Sequence, residues 1–140
     1  MTEFEKNLEY NPQSVTAHLN LAKIYFAQRK LNLASEHLQR AAKIDPNSYD
    51  TCMTAGDMLM NLQDFPNAAR MFRRAVQLKR DASRAYNALG VALAAQQLYP
   101  EAIYNFGRAT DLDPTYDDAR KNLQAAQAER SRREAAATQP

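Results

Sequence analysis

An all-α fold built from antiparallel helix pairs is predicted by three features of this sequence. Small and aromatic residues recur at a step of 34 residues, through Ala34, Ala68 and Ala102, through Leu38, Phe72 and Phe106, and through Ala41, Ala75 and Ala109. A second ladder in the same register runs through Ala22, Gly56 and Gly90, with Tyr25, Leu59 and Leu93 three residues on. A fixed step of that length marks one supersecondary unit repeated along the chain. The third feature is composition: 3 Gly and no Trp in 140 residues suit helices better than a mixed fold.

Pro12, Pro46 and Pro114 punctuate the repeats, preceded by Asn11, Asp45 and Asp113. Proline disfavours the helical conformation of the residue before it, so each marks a helix end. Met1–Asn11 reads as a short helix with Phe4 and Leu8 on one face, either the second helix of a half repeat or a cap for the first full repeat. Residues 12–47 form the first full repeat. Ser14 caps a helix over about Val15–Ala27, and the short turn Gln28-Arg29-Lys30 brings the next helix, Leu31–Ile44, back antiparallel. Its alanines let the two helix axes approach.

Residues 48–81 form the second repeat, with helices of about Tyr49–Leu62 and Phe65–Lys79; Arg80 stands where the closing proline would be. Residues 82–116 form the third, with Ser83 as cap and helices near Arg84–Gln96 and Pro100–Leu112. A further helix over residues 117–134 packs through Ala119, Leu123 and Ala126 and closes the stack with a polar outer side. Residues 135–140 have nothing to bury and are expected to be disordered.

These features together resemble the tetratricopeptide repeat family: paired helices of this length, small residues at the crossings, Phe or Leu in the second helix and a closing proline. The resemblance covers about Val15–Tyr116 as three repeats, plus the flanking helices. The Trp usual near each repeat's start is His18, Cys52 and Tyr86 here. The resemblance implies a right-handed superhelix whose first helices line a concave groove, a binding module and not an enzyme, with a protein or peptide as partner and no cofactor.

Helical geometry puts Thr16, Leu19, Lys23 and Phe26, then Asp50, Met53, Asp57 and Met60, then Arg84, Asn87, Val91 and Ala94 on the face turned away from the partner helix. Leu19, Phe26, Met53, Met60 and Val91 are expected to supply apolar area to an extended or amphipathic peptide. Asn87 is available to its backbone, and Lys23, Asp57 and Arg84 give charge selectivity. Met53→Asp is therefore expected to abolish peptide binding without unfolding the chain. A clamp for the C-terminal carboxylate of heat-shock chaperones, known in the family, is rejected. At the matching places stand Leu19, Lys23, Thr54, Arg84 and Ala88, of which only Arg84 and Lys23 carry the needed charge.

Catalytic and metal chemistry find little support. Cys52 falls on a packing face, His18 and His37 lie in different helices without an acidic partner at fixed spacing, and no glycine-rich phosphate loop is present. The aspartates at 111, 113, 117 and 118 suit helix ends and solvation. Arg70, Arg73 and Arg74 share one side of a helix, with Lys79 and Arg80 nearby. They are a candidate patch for an acidic protein or RNA, but with Glu101 and Asp81 nearby a net charge of +2 gives no broad positive field, so a solvated convex face is the expected reading and nucleic acid is not the expected partner.

No apolar run reaches membrane-span length, so no membrane insertion is expected. Met1–Tyr10 lacks the apolar stretch of a secretory signal, and a single cysteine precludes an internal disulfide; both suit a soluble cytoplasmic protein. The expected function is a protein-interaction scaffold or adaptor. Alternatives are a homo-oligomerisation module, in which the unpaired N-terminal helix buries itself against another copy, and a chaperone-like adaptor for secreted subunits. An enzyme accessory domain is a third, weaker class.

Overall fold

The structure is a computed structural model that describes residues 1–139, and among these it holds eight α-helices and no strand. They are α1 (Glu3–Tyr10), α2 (Val15–Ala27), α3 (Leu31–Ile44), α4 (Tyr49–Asn61), α5 (Phe65–Leu78), α6 (Ser83–Ala95), α7 (Tyr99–Leu112) and α8 (Asp117–Ala137). Consecutive helices pack as antiparallel pairs, α2 on α3, α4 on α5 and α6 on α7, with α1 before them and α8 after. No described helix is long and apolar enough to cross a membrane.

Local chemistry explains the helix ends. Thr2 closes a reciprocal capping box: its hydroxyl accepts from the Glu5 amide at 3.1 Å, and its own amide donates to the Glu5 carboxylate at 2.6 Å. That amide, then the hydroxyl, holds the Glu5 carboxyl below its ordinary range. Ser14 and Ser48 cap α2 and α4 in register, accepting from the amides of Ala17 and Thr51. The same register carried forward reaches Ala82, which is the N-cap of α6 and offers no side-chain bond. Ser83 is therefore the first helical residue and not the cap, a correction that the repeat step itself contains.

Each helix pair turns through a left-handed residue that is not glycine: Arg29 (φ 62°), Gln63 (φ 60°) and Gln97 (φ 64°). At all three, two bonds characteristic of the Schellman motif satisfy the helix end, for example Lys30 N–H to the Tyr25 carbonyl (2.9 Å) and Arg29 N–H to the Phe26 carbonyl (3.0 Å). Polar side chains pointing into solvent accept the left-handed strain where an apolar or β-branched residue would not.

The C-terminal end departs from expectation. α8 runs on to Ala137, so residues 135–137 are helical and not disordered. Three consecutive alanines, the strongest helix formers, extend a helix already nucleated upstream. Pro140, the last residue of the expected tail, lies outside the described residues.

The helix pairs close on crossings of complementary size. Gly56 and Gly90 stand against the rings of Phe72 and Phe106, and a Cβ built on either would lie 2.5 Å from a ring carbon. In the first pair the same two places hold Ala22 and Leu38, both fully buried. The larger small residue there is matched by the smaller large one, which keeps the summed volume nearly constant. A continuous core runs from Ala22 and Leu38 through Leu59 and Phe72 to Leu93, Phe106 and Ala126.

Candidate peptide-binding groove

The first helices of successive pairs meet one another, α4 with α6 and α6 with α8, which puts them on the inside of the curve. The side chains expected to line the groove divide into two groups. Lys23 and Phe26 are exposed, Phe26 to 42%, while Leu19, Asp57, Met60 and Val91 are half-buried. Arg84 donates to the Asp57 carboxylate at 2.7 Å across α4 and α6, and both side chains remain in contact with water. Such an exposed pair adds little stability and leaves both charges open to exchange for a ligand's.

Met53 and Asn87 depart from the expected face. Met53 is 2% exposed and belongs to the core. Asn87, in register with it, is 9% exposed and engaged within the chain: its amide donates to the Tyr116 hydroxyl at 3.2 Å, and its carbonyl oxygen accepts from the Asn122 amide at 3.0 Å. The cause is superhelical packing. The first helix of the next unit covers this register position, while Leu19, with less cover, keeps part of its surface. Helical periodicity within one helix identifies the face, but the next helix decides how wide its open strip is.

A cleft of about 360 Å³ opens at the C-terminal end of the inner side, walled by Val91 and Ala94 of α6 and Asn122, Ala125, Ala126 and Glu129 of α8, with Phe106 and Tyr99 of α7 contributing. Glu129 accepts from both Arg132 and Arg133, which hold its carboxyl below the ordinary range. A larger cleft, about 960 Å³, lies on the opposite side between α3 and α5. Periodicity gives no hint of it, because it depends on one small residue, Cys52, where a bulky one is usual. The thiol of Cys52 is buried and its pKa is pushed up by that burial, as expected of a packing residue.

The structure brings His18 and His37 together, a juxtaposition the linear spacing conceals. Their Nδ1 atoms are 2.7 Å apart, and His18 Nε2 lies 3.2 Å from the Pro12 carbonyl. A carbonyl only accepts, so neutral His18 donates from Nε2 and its Nδ1 takes the His37 Nδ1–H. His37 stacks on Tyr25 at 5.4 Å, and the Tyr25 hydroxyl donates to Glu5 at 3.2 Å, tying α1 to α2 and α3. Burial, then the facing charge of His18 and of Arg40, lowers the His37 pKa against the opposing pull of Glu36 and Glu5.

An unfolded histidine titrates near about 6.5, so the unfolded chain takes up this proton first as pH falls. The His37 contribution to stability is thus complete above that value and is lost as pH falls from it through the lower folded-state pKa. We expect the urea midpoint to drop between about pH 7 and about pH 5, and the drop to shrink in His37→Gln. An equal drop in the variant would remove His37 as the cause. Among the described residues no three His, Cys, Asp or Glu side chains gather as a metal ion would require.

The row of arginines on α5 is largely engaged within the chain. Arg74 donates to the Pro46 carbonyl (2.9 Å) and the Asn47 side chain (2.7 Å), Arg70 to Asn67 (3.0 Å), and Arg73 lies 3.8 Å from Glu101. Lys79 stands 5.2 Å over the Tyr49 ring.

Residues 1–130 match the family model of the tetratricopeptide repeat protein 21 C-terminal ARM domain. Tetratricopeptide repeat-containing protein trd-1 of Caenorhabditis elegans is 26% identical over 71% of this chain, and the chain spans only 14% of that protein's length. Among solved structures, the MamA protein superposes with a TM-score of 0.75 at 22% identity, covering 96% of this chain and 73% of that one. The first tetratricopeptide repeat domain of Spaghetti (RPAP3), solved with an HSP90 peptide bound, gives 0.68 at 24% identity over 85% of this chain and 94% of its own. The tetratricopeptide repeat domain of Arabidopsis OM64 gives 0.63 at 18% identity, over 80% and 93% respectively. These likenesses establish the fold as the right-handed superhelical stack of antiparallel pairs. With the family model spanning residues 1–130, this chain belongs to the tetratricopeptide repeat family, in the group of the tetratricopeptide repeat protein 21 C-terminal ARM domain.

Proposed function

We propose that this chain is a protein-interaction scaffold, not an enzyme, that takes an extended or amphipathic segment of a partner along its concave face. The observation that carries this reading is the apolar strip left open there, from the 42%-exposed ring of Phe26 past Leu19 and Met60 to Val91 and the 360 Å³ cleft beside α8. Phe26, Met58 and Leu62 also frame a small notch over Ala22, a seat for one side chain. Lys23 and the exchangeable Arg84–Asp57 pair supply charge at the edges of the strip. Met53 and Asn87, both buried, support the groove from below and are not themselves contacts.

The Spaghetti domain binds an HSP90 peptide. Leu19, Thr54 and Ala88 leave this chain without the polar set of a carboxylate clamp, so an internal segment suits the groove better than a chain terminus. The buried free thiol of Cys52 suits a reducing compartment such as the cytoplasm. Nucleic acid fits poorly, since a net charge of +2 gives no broad positive field.

The test is selection of peptides from a displayed random library on the full chain, followed by Phe26→Asp and Val91→Asp. Affinity for the selected peptides is expected to fall roughly tenfold or more in each variant, with the urea midpoint little changed, as for central contacts of an interface. Peptides that bind both variants as tightly as the original chain would remove the concave face as the site. A second reading, self-association, draws on α1, which buries none of its residues and ends at Tyr10, 91% exposed. It requires a mass in solution that changes when Thr2–Tyr10 is removed.

A further inference from the structure

An opening of about 960 Å³ lies on the convex side, between α3 and α5. Its origin can be read from the repeat register. His18, Cys52 and Tyr86 occupy the same place in the three repeats. His18 is bonded to His37, and the half-buried Tyr86 has the Arg108 guanidinium of α7 5.6 Å over its ring. Cys52 is smaller than either, and the seam above it stays open. Along the rim Ser35 donates to Asp64 at 2.9 Å, the one side-chain hydrogen bond joining α3 to the start of α5 among the described residues.

The chemistry of the lining is asymmetric. The floor is apolar, formed by Ala42, Cys52, Leu62 and Met71. Six charged side chains stand around it, four basic and two acidic. Both carboxylates are used internally: Glu36 pairs with Arg40 at 2.5 Å, and Asp64 accepts from Ser35 and from the Asn67 side chain. The remaining cations, Lys43, Arg70 and Arg74, meet no carboxylate among the described residues; Arg70 and Arg74 donate only to neutral oxygens. Three uncompensated positive charges over an apolar floor call for an occupant with negative charge on its flanks and apolar groups beneath.

We infer that the α3–α5 cleft is a second docking site, distinct from the concave face, for an acidic amphipathic segment of a partner protein. Helix α3 and helix α5 each have 14 residues, long enough to flank several turns of a bound helix. Apolar side chains of the segment enter the space over Cys52, and its carboxylates meet Lys43, Arg70 and Arg74. A nucleic-acid strand fits less well, because Glu36 and Asp64 stand in the same wall and the floor offers no aromatic ring for stacking.

The experiment is a fluorescence-anisotropy titration of the full chain with a labelled helical peptide carrying leucine at every third or fourth position and glutamate between. Saturable binding is expected, weakening as salt rises and falling roughly tenfold in Arg70→Glu and in Lys43→Glu, both exposed positions that should leave the fold intact. Cys52→Tyr, which copies the third repeat, is expected to remove binding by filling the floor, while Phe26→Asp on the concave side leaves it unchanged. The inference fails if the peptide does not saturate, if Arg70→Glu and Lys43→Glu bind as well as the original chain, or if Phe26→Asp is the variant that loses binding. It also fails if a single-stranded oligonucleotide competes at equal affinity, or if light scattering gives a dimer that Arg70→Glu returns to a monomer, making a second copy the occupant.

Discussion

Met53→Asp is expected to destabilise the fold by about 3–5 kcal/mol, the cost of an unpaired charge placed in a core. Met53 is 2% exposed and is part of the apolar cluster that joins the repeats. The new side chain must either ionise in a medium that solvates it poorly or take up a proton, so its folded-state pKa rises. Part of the loss should then be recovered as pH falls through that raised pKa toward the lower value of the unfolded chain. Against typical stabilities of about 5–15 kcal/mol, this is enough to populate unfolded chain. Urea unfolding beside Met53→Leu measures it, the leucine variant staying within about 1.5 kcal/mol of the original. A Met53→Asp protein as stable as the leucine variant would return this residue to the open face. Its failure to bind peptide, were it unfolded, would say nothing of the groove, which is why Phe26 and Val91 are the better probes there.

The second large effect concerns the helix crossings. Gly56→Ala drives a methyl to 2.5 Å from the Phe72 ring, which is itself 1% exposed and has nowhere to move. Overpacking of this kind costs about 1–3 kcal/mol, from which the better helix propensity of alanine recovers up to about 1. Phe72→Leu alone opens a void at the same crossing and is also destabilising, by about 1–2 kcal/mol. Together the two changes recreate the Ala22–Leu38 pair that the first repeat already tolerates. The double variant should therefore be more stable than the sum of the singles predicts, with an interaction of about 1–2 kcal/mol. Strictly additive losses, in denaturant unfolding of all four proteins, would show that the crossings are not exchangeable parts. The Gly90–Phe106 crossing should behave alike.

The register of this fold is legible in the sequence because the crossing residues are chemically constrained: Gly stands opposite Phe and Ala opposite Leu, and the chain repeats that constraint three times. The helix start at Ser14 is legible because its hydroxyl caps α2, while Ser83 is misread as a cap, since the cap position there holds alanine. The candidate groove is only half legible. Phe26, Lys23 and Val91 follow from helical periodicity, but the burial of Met53 and the capture of Asn87 by Tyr116 and Asn122 depend on how the next helix is set down. That angle is a property of pairs of helices, and no single periodicity encodes it. The His18–His37 contact and the opening over Cys52 belong to the same class, each arising from residues 19 apart or on separate helices.

The order in which the helices pack has a kinetic consequence. Each helix lies against its chain neighbours, joined by the α4–α6 and α6–α8 contacts, and side-chain hydrogen bonds reach no further than 36 residues along the described chain. Little loop-closure entropy must be overcome before a contact can form, since every partner is nearby in sequence. Folding can start at any of the three helix pairs and spread to the next, with no distant segment to wait for. During synthesis the α2–α3 pair can close before α4 has emerged, so the chain is able to assemble in the order in which it is made.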